Sequence, residues 1–315
     1  MEYRDRRLLL IVVGLVSLLV GAVAAVFGPL EMYCFYLFGG DGPFAYEGFG
    51  FGSFMFGNLA LQIMGYYCIA ALALPLGYGH VKLRRWARTL ALTLLWAWLV
   101  VGVPLAIVFF LILVTAKELS IGAVVAAVLL LGLAYPVLPL LLLRFYRSRD
   151  VQATFEAHDA HTYWIERLPL PVLVLAFLYL FYAVVLHVPI FFRGIFPLFG
   201  SFLFDLAGIS LLTASILGLG LLVWGTLRRR LWAWWAALAY FVLLTVSAIL
   251  SFVTTTYAHL LAALRFPPFE VDILQGVPLQ GWHLALFFGL PLTLTLAAII
   301  RARPCFSPQL PTPSD

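Results

Sequence analysis

The chain has 315 residues, of which 64% are hydrophobic and only 10% charged, with a formal charge of +5 and a mean hydropathy of +1.06. Water-soluble domains carry about a quarter charged residues, so this composition excludes a soluble globular fold: too few charges exist to cover a hydrated surface. The basic balance does not point to nucleic acid either, because the cations sit in short clusters between apolar runs rather than along one stripe.

Apolar runs of about 20 residues are long enough to cross a hydrocarbon core of roughly 30 Å. Eight are read in chain order, near 8–28, 52–78, 87–113, 120–143, 169–192, 201–226, 231–256 and 282–300. The expected fold class is therefore all-α, a polytopic bundle of eight spanning helices. The first run has a basic start and an Ala22-Val23-Ala24 that imitates a signal cleavage site. Its apolar stretch reaches Phe27, which favours a retained anchor over a cleaved segment.

The connections alternate in charge. One set holds Arg4, Arg6 and Arg7; Lys82, Arg84, Arg85 and Arg88; Arg144, Arg147, Arg149 and Arg167; Arg228 to Arg230; and Arg301 and Arg303, which is 16 of the 19 basic residues. The other set holds only Lys117, Arg193 and Arg265. The positive-inside rule makes the rich set cytoplasmic and places both termini there. Short loops and the retained first span suggest a bacterial inner membrane.

An internal duplication is expected. Phe51-Gly52-Ser53-Phe54-Met55-Phe56 recurs as Phe199-Gly200-Ser201-Phe202-Leu203-Phe204, an offset of 148 that continues through Lys82 on Arg230 and Trp86 on Trp234. This divides the chain into a four-helix repeat over 1–147, a cytoplasmic linking helix over 148–168, a second four-helix repeat over 169–303 and a tail over 304–315. Each unit holds an even number of spans, so the copies point the same way, about an axis along the membrane normal.

Between the spans, segments 29–50 and 257–281 are rich in aromatics, Gly and Pro and suit caps lying in the interfacial belt. In the linker, Asp150 is placed to cap a short helix, with Phe155, Tyr163, Trp164 and Ile165 partly buried. His158 and His161 would share a helical face, the spacing of a metal pair. No second His or Cys pair accompanies them, so a solvated linking helix is the preferred reading. Cys34, Cys68 and Cys305 have no paired spacing.

Ionisable groups at membrane depth are default functional candidates. In the second unit Asp205, His187, His259, His283 and Arg193 gather towards the outer leaflet, while the first unit offers only Asn58 and Gln62 at comparable positions. Three readings compete for His187, His259 and His283: ligands to a haem or metal, a quinone pocket, or ordinary interfacial residues. The third is preferred, with Asp205 at a helix N-terminus paired to Arg193.

There is no phosphate-cradling glycine loop, no H-E-x-x-H, no nucleophile elbow and no chain of mid-membrane acids. No catalytic residue is assigned. The expectation is a non-catalytic subunit or scaffold of a larger membrane complex, with membrane lipid and other membrane-protein subunits as partners and no nucleic acid. The alternatives are a carrier of a neutral or lipid-like molecule through the cleft between the repeats, with Asn58, Gln62 and Asp205 as its polar lining, and a haem or quinone protein.

Overall fold

The computed structural model describes residues 3–115 and 120–306 of the chain. Lys117, counted above with the sparse connections, lies outside them. Within them the chain is all-α apart from one two-stranded hairpin, with eight helices long and apolar enough to cross a membrane.

The first pair is α1 (Arg7–Phe38) and α2 (Phe54–Val81). Gly14, Gly21 and Gly28 recur every seven residues and form a seam against α2. A Cβ would meet Gly77 O at 2.9 Å from Gly14, Leu74 at 2.8 Å from Gly21 and the Tyr67 ring at 3.0 Å from Gly28. Small residues at this period let two backbones approach closely where no water drives association. α1 runs ten residues past the expected end of the first span. Its 32 residues make a rod of about 48 Å, longer than the hydrocarbon core, so the segment from Leu30 to Phe38 is helix and not loop.

The next pair is α3 (Arg85–Thr115) and a fourth span built from α4 (Ile121–Gly132) and α5 (Leu138–Tyr146). A π-turn at Leu133–Val137 joins the two pieces at Pro136, which has no N–H for the helical ladder. Trp98 of α3 stacks on Tyr135 and donates its indole N–H to that residue's carbonyl at 3.2 Å.

The linker is helical only over α6 (Arg149–His158), with a 3-10 turn at Trp164–Arg167. Ser148, not Asp150, caps α6, accepting from Val151 N–H; Asp150 instead accepts Arg4 N–H and pairs with Arg6 at 3.3 Å. The helix stops at His158 because Asp159 turns away to the α2–α3 connection. There it accepts Arg85 N–H at 3.2 Å and pairs with Arg84 at 3.6 Å. Val151 and Phe155 are buried with Leu10, Ala87, Leu143 and Tyr146, so the linker belongs to the first half's core.

The second half contains α7 (Leu170–Val185), the short α8 (Val188–Phe191), the hairpin β1 (Phe196–Leu198) and β2 (Ser201–Leu203), α9 (Asp205–Leu227), α10 (Leu231–Val253), α11 (Tyr257–Leu264), α12 (Pro268–Gln275) and α13 (Gly281–Arg301). The sixth span thus starts at Asp205 and not at 201. The largest core lies here, around Tyr179, Tyr182, Phe241, Leu219 and Ile299, and Ala97 of α3 reaches into it. Phe306 closes its basic end. α3 packs on both α7 and α13 and is the strut between the halves.

Two turns on the basic side are built alike. α2 and α9 each end in a left-handed residue, Leu83 (φ 50°) and Arg229 (φ 52°). The next amide reaches back five residues, Arg84 N to Gly79 O at 2.7 Å and Arg230 N to Gly225 O at 3.0 Å. This is the Schellman closure of a helix end. A Cβ on Gly79 would strike Ala87 and Trp86, and one on Gly225 would strike Ala233 and Trp232. These pairs stand 146 apart, not 148. The two copies of the Phe-Gly-Ser-Phe hexapeptide differ in structure: Ser53 caps α2, whereas Gly200 turns a hairpin and Ser201 begins a strand.

Candidate functional site

On the side away from the basic clusters, the second half's connections fold over the N-terminus of α2. Glu270 of α12 is 4% exposed and its carboxylate accepts Phe54 N–H at 2.7 Å, Met55 N–H at 2.9 Å and the Tyr46 hydroxyl. The Ser53 Oγ takes Phe56 N–H at 3.3 Å and the Ser53 carbonyl takes Gly57 N–H. With Ser53 N–H bonded to Gly50 O at 3.0 Å, all four orphan amides of α2 are paired. Burial first, and then the neighbouring carboxylate, push the Tyr46 hydroxyl well above its ordinary value. Glu270 lies in the 257–281 segment, which the sequence marks only as an interfacial cap; its partners at 46 and 54 are brought to it by the fold.

Arg193 and Asp205 form a two-pronged pair, Nε to Oδ1 at 3.2 Å and Nη2 to Oδ2 at 2.5 Å, and Arg193 Nη1 donates to Ala263 O at 2.9 Å. Both residues are left-handed, at φ 59° and 55°. They bracket the hairpin and tie it to α11. Asp205 is the first residue of α9, half in solvent, with its charge at the positive end of the helix dipole.

Of the three histidines that the sequence groups together, His187 and His283 make local ring bonds and the His259 ring makes none among the described residues. His187, between α7 and α8, donates from Nδ1 to Ala183 O of α7 at 2.9 Å, and it is exposed. His259 is exposed on α11, where its backbone N–H bonds to the Thr256 cap. His283 is buried; its Nδ1 accepts Gln280 N–H at 3.0 Å, its ring lies against Trp282, and its Nε2 has no partner among the described residues. No three His, Cys, Asp or Glu side chains among the described residues are grouped to hold a metal ion. His158 and His161 do not share a helical face, because α6 ends between them; His158 bonds Thr154 O and His161 packs on Tyr163. On α2, Asn58 is half-buried and Gln62 exposed, and neither side chain has a hydrogen-bond partner among the described residues.

The basic side holds a different feature. A surface-open groove of about 550 Å³ runs between α3, α7 and α13, floored by Trp96, Leu99, Val100, Val174 and Leu294, with Arg147 and Arg301 at its rim. A second hollow of about 470 Å³ adjoins it across Trp96 and Arg147 and adds Arg144. Sequence reading counted these arginines as topology signals. Their convergence depends on α3 standing between the halves, which no local pattern encodes.

No protein-family model matches the chain, and neither a curated protein nor a solved structure is similar to it.

Proposed function

We propose that the chain is a non-catalytic subunit of a membrane assembly, docking to another spanning helix through α9. The observation carrying this is the face of Ala207, Ser210, Ala214 and Gly218. These four small residues at helical spacing are all exposed, with open space where a Gly218 Cβ would stand. The same protein uses such residues internally to bring α1 onto α2. Small-residue faces are the usual contact between membrane helices. On α9 itself Gly208 and Gly225 are already packed closely while Gly218 and Gly220 are open. Ser210 satisfies its hydroxyl on Leu206 O at 2.7 Å, so the face is apolar in effect.

The test is an Ala214→Leu/Gly218→Leu variant. No described residue fills the space at Gly218, so the subunit keeps its fold and thermal stability. Its assembly, read by native gel and mass spectrometry from the source membrane, is lost. An assembly that survives the double variant refutes the reading.

The topology completes the proposal. The matching turns support an ancestral four-helix unit repeated at offset 146, with parallel copies. The halves are not disposed about a two-fold axis, since α3 packs on α7 and α13 while its counterpart α10 has no comparable contact with α1 or α4. The basic side is assigned to the cytoplasm of a bacterial inner membrane, with both termini there.

A carrier of a lipid-like molecule is the second reading, favoured by the groove between the halves. Against it, Asn58, Gln62 and Asp205 do not line that groove. Against the haem or quinone reading, His187 and His259 are exposed while His283 is buried, and no metal-holding group is formed among the described residues.

A further inference from the structure

We propose that the groove between α3, α7 and α13 is a binding site for one anionic phospholipid from the leaflet on the basic side. Its headgroup phosphate would be held between Arg147 and Arg301 and one acyl chain laid along Trp96. The argument starts from charge. Among the described residues the acids on this side are already engaged: Asp150 pairs with Arg6, Asp159 with Arg84 and Glu166 with Arg85, while Glu156 accepts the Gln152 amide and Asp5 accepts Arg7 N–H. Arg144, Arg147 and Arg301 take part in no ion pair among the described residues. Two guanidinium groups, Arg147 and Arg301, therefore meet from two helix ends at one opening, with Arg144 in the adjoining hollow and no paired counter-charge among the described residues, and an anion with several acceptor oxygens fits their forked donors.

The floor decides what kind of anion. Below the arginines the walls are Trp96, Leu99, Val100, Val174 and Leu294, with no acid and no hydroxyl. From Arg301 back to Leu294 the groove descends seven residues of helix, or about 10 Å. That depth accommodates the upper part of an acyl chain and offers nothing to a small hydrated ion. Basic pockets between spanning helices on the basic side are the arrangement that captures acidic headgroups. The proposal does not rest on the assembly role of α9, which is a different helix and a different face.

The experiment uses the full chain, delipidated in a mild non-ionic detergent and examined by native mass spectrometry. It is titrated with phosphatidylglycerol or phosphatidylcholine of the same chains. One phosphatidylglycerol is expected to bind roughly tenfold more tightly than phosphatidylcholine, the scale of two surface arginines. Arg147→Gln/Arg301→Gln reduces that preference to under about twofold, whereas Arg228→Gln/Arg230→Gln, which removes equal charge from the α9–α10 turn, leaves it intact. A second readout needs no arginine change. In lipid nanodiscs, phosphatidylglycerol brominated on its chains quenches tryptophan fluorescence more than brominated phosphatidylcholine, and Trp96→Phe removes the excess. Equal binding of the two lipids, or equal loss in both arginine double variants, overturns the proposal. So does quenching unchanged by Trp96→Phe.

Discussion

Glu270 is the most exacting point at which to break the contact between the two halves. Replacing it with alanine leaves three donors without an acceptor: Phe54 N–H, Met55 N–H and the Tyr46 hydroxyl. A stranded buried donor costs about 1–3 kcal/mol. These lie at a helix end that water can enter once the carboxylate is gone, so the low end applies and the sum is about 3 kcal/mol. Glu270→Gln keeps one carbonyl acceptor but turns an NH2 towards the second amide, and is expected to cost about half as much. Asp272→Ala, two residues on and exposed, is the control and should change stability by under about 0.5 kcal/mol. Denaturant titration in detergent reads the stability, and hydrogen exchange at Phe54 and Met55 reads the cap. The variant should expose those two amides while exchange at the α2–α3 turn stays slow. Unchanged exchange at both amides in Glu270→Ala would refute the assignment of Glu270 as the cap of α2.

Three further outcomes follow from the same structure. Leucine at Gly21 meets Leu74 at under van der Waals distance and should separate α1 from α2 at a cost of at least 1–3 kcal/mol, ~2 being central; a cysteine crosslink between the two helices reads it, and a retained crosslink counts against the seam. Burial raises the Asp159 carboxyl, but the N–H groups of His161 and Arg85, with Tyr163 and Arg84, outweigh it and hold the group below its ordinary value. Its stabilisation is therefore present at neutral pH and lost as pH falls below about 4. Wild type should exceed Asp159→Asn in stability at pH 6, with the gap closing in acid; a pH-independent gap contradicts this. For Arg193 and Asp205, a double-mutant cycle should give a coupling of about 1 kcal/mol, kept small because the carboxylate is largely in solvent; zero coupling would mean the pair is incidental.

The spans were legible because run length and hydropathy act locally, and each spanning helix lies over its expected run. Their ends were less so. Glu31 breaks the apolar run, yet α1 continues to Phe38 because a helix leaving the bilayer needs only its own backbone bonds. The hexapeptide at 51–56 misled on register: its second copy closes a hairpin whose ladder is completed by Ser247 and Ser251 of α10, which accept Phe199 and Gly200 N–H at 3.0 and 3.1 Å. The better signal was the turn, where Gly79 and Gly225 stand under tryptophans. The period of Gly14, Gly21 and Gly28 was present in the sequence and carried the tightest helix pair. The metal spacing of His158 and His161 failed because Asp159 between them is drawn to Arg84 and Arg85. Long-range partners of this kind, like the bond from Tyr146 hydroxyl to His80 Nε2 at 2.6 Å inside the first half's core, leave no local trace.

The central claim, that α9 is an interface, is tested most directly by a photo-crosslinking amino acid placed at position 214 in the native membrane. Leu129 of the fourth span serves as the lipid-facing reference. The account predicts a discrete crosslinked protein at 214 and none at 129. Crosslinks to lipid alone at both positions would contradict it.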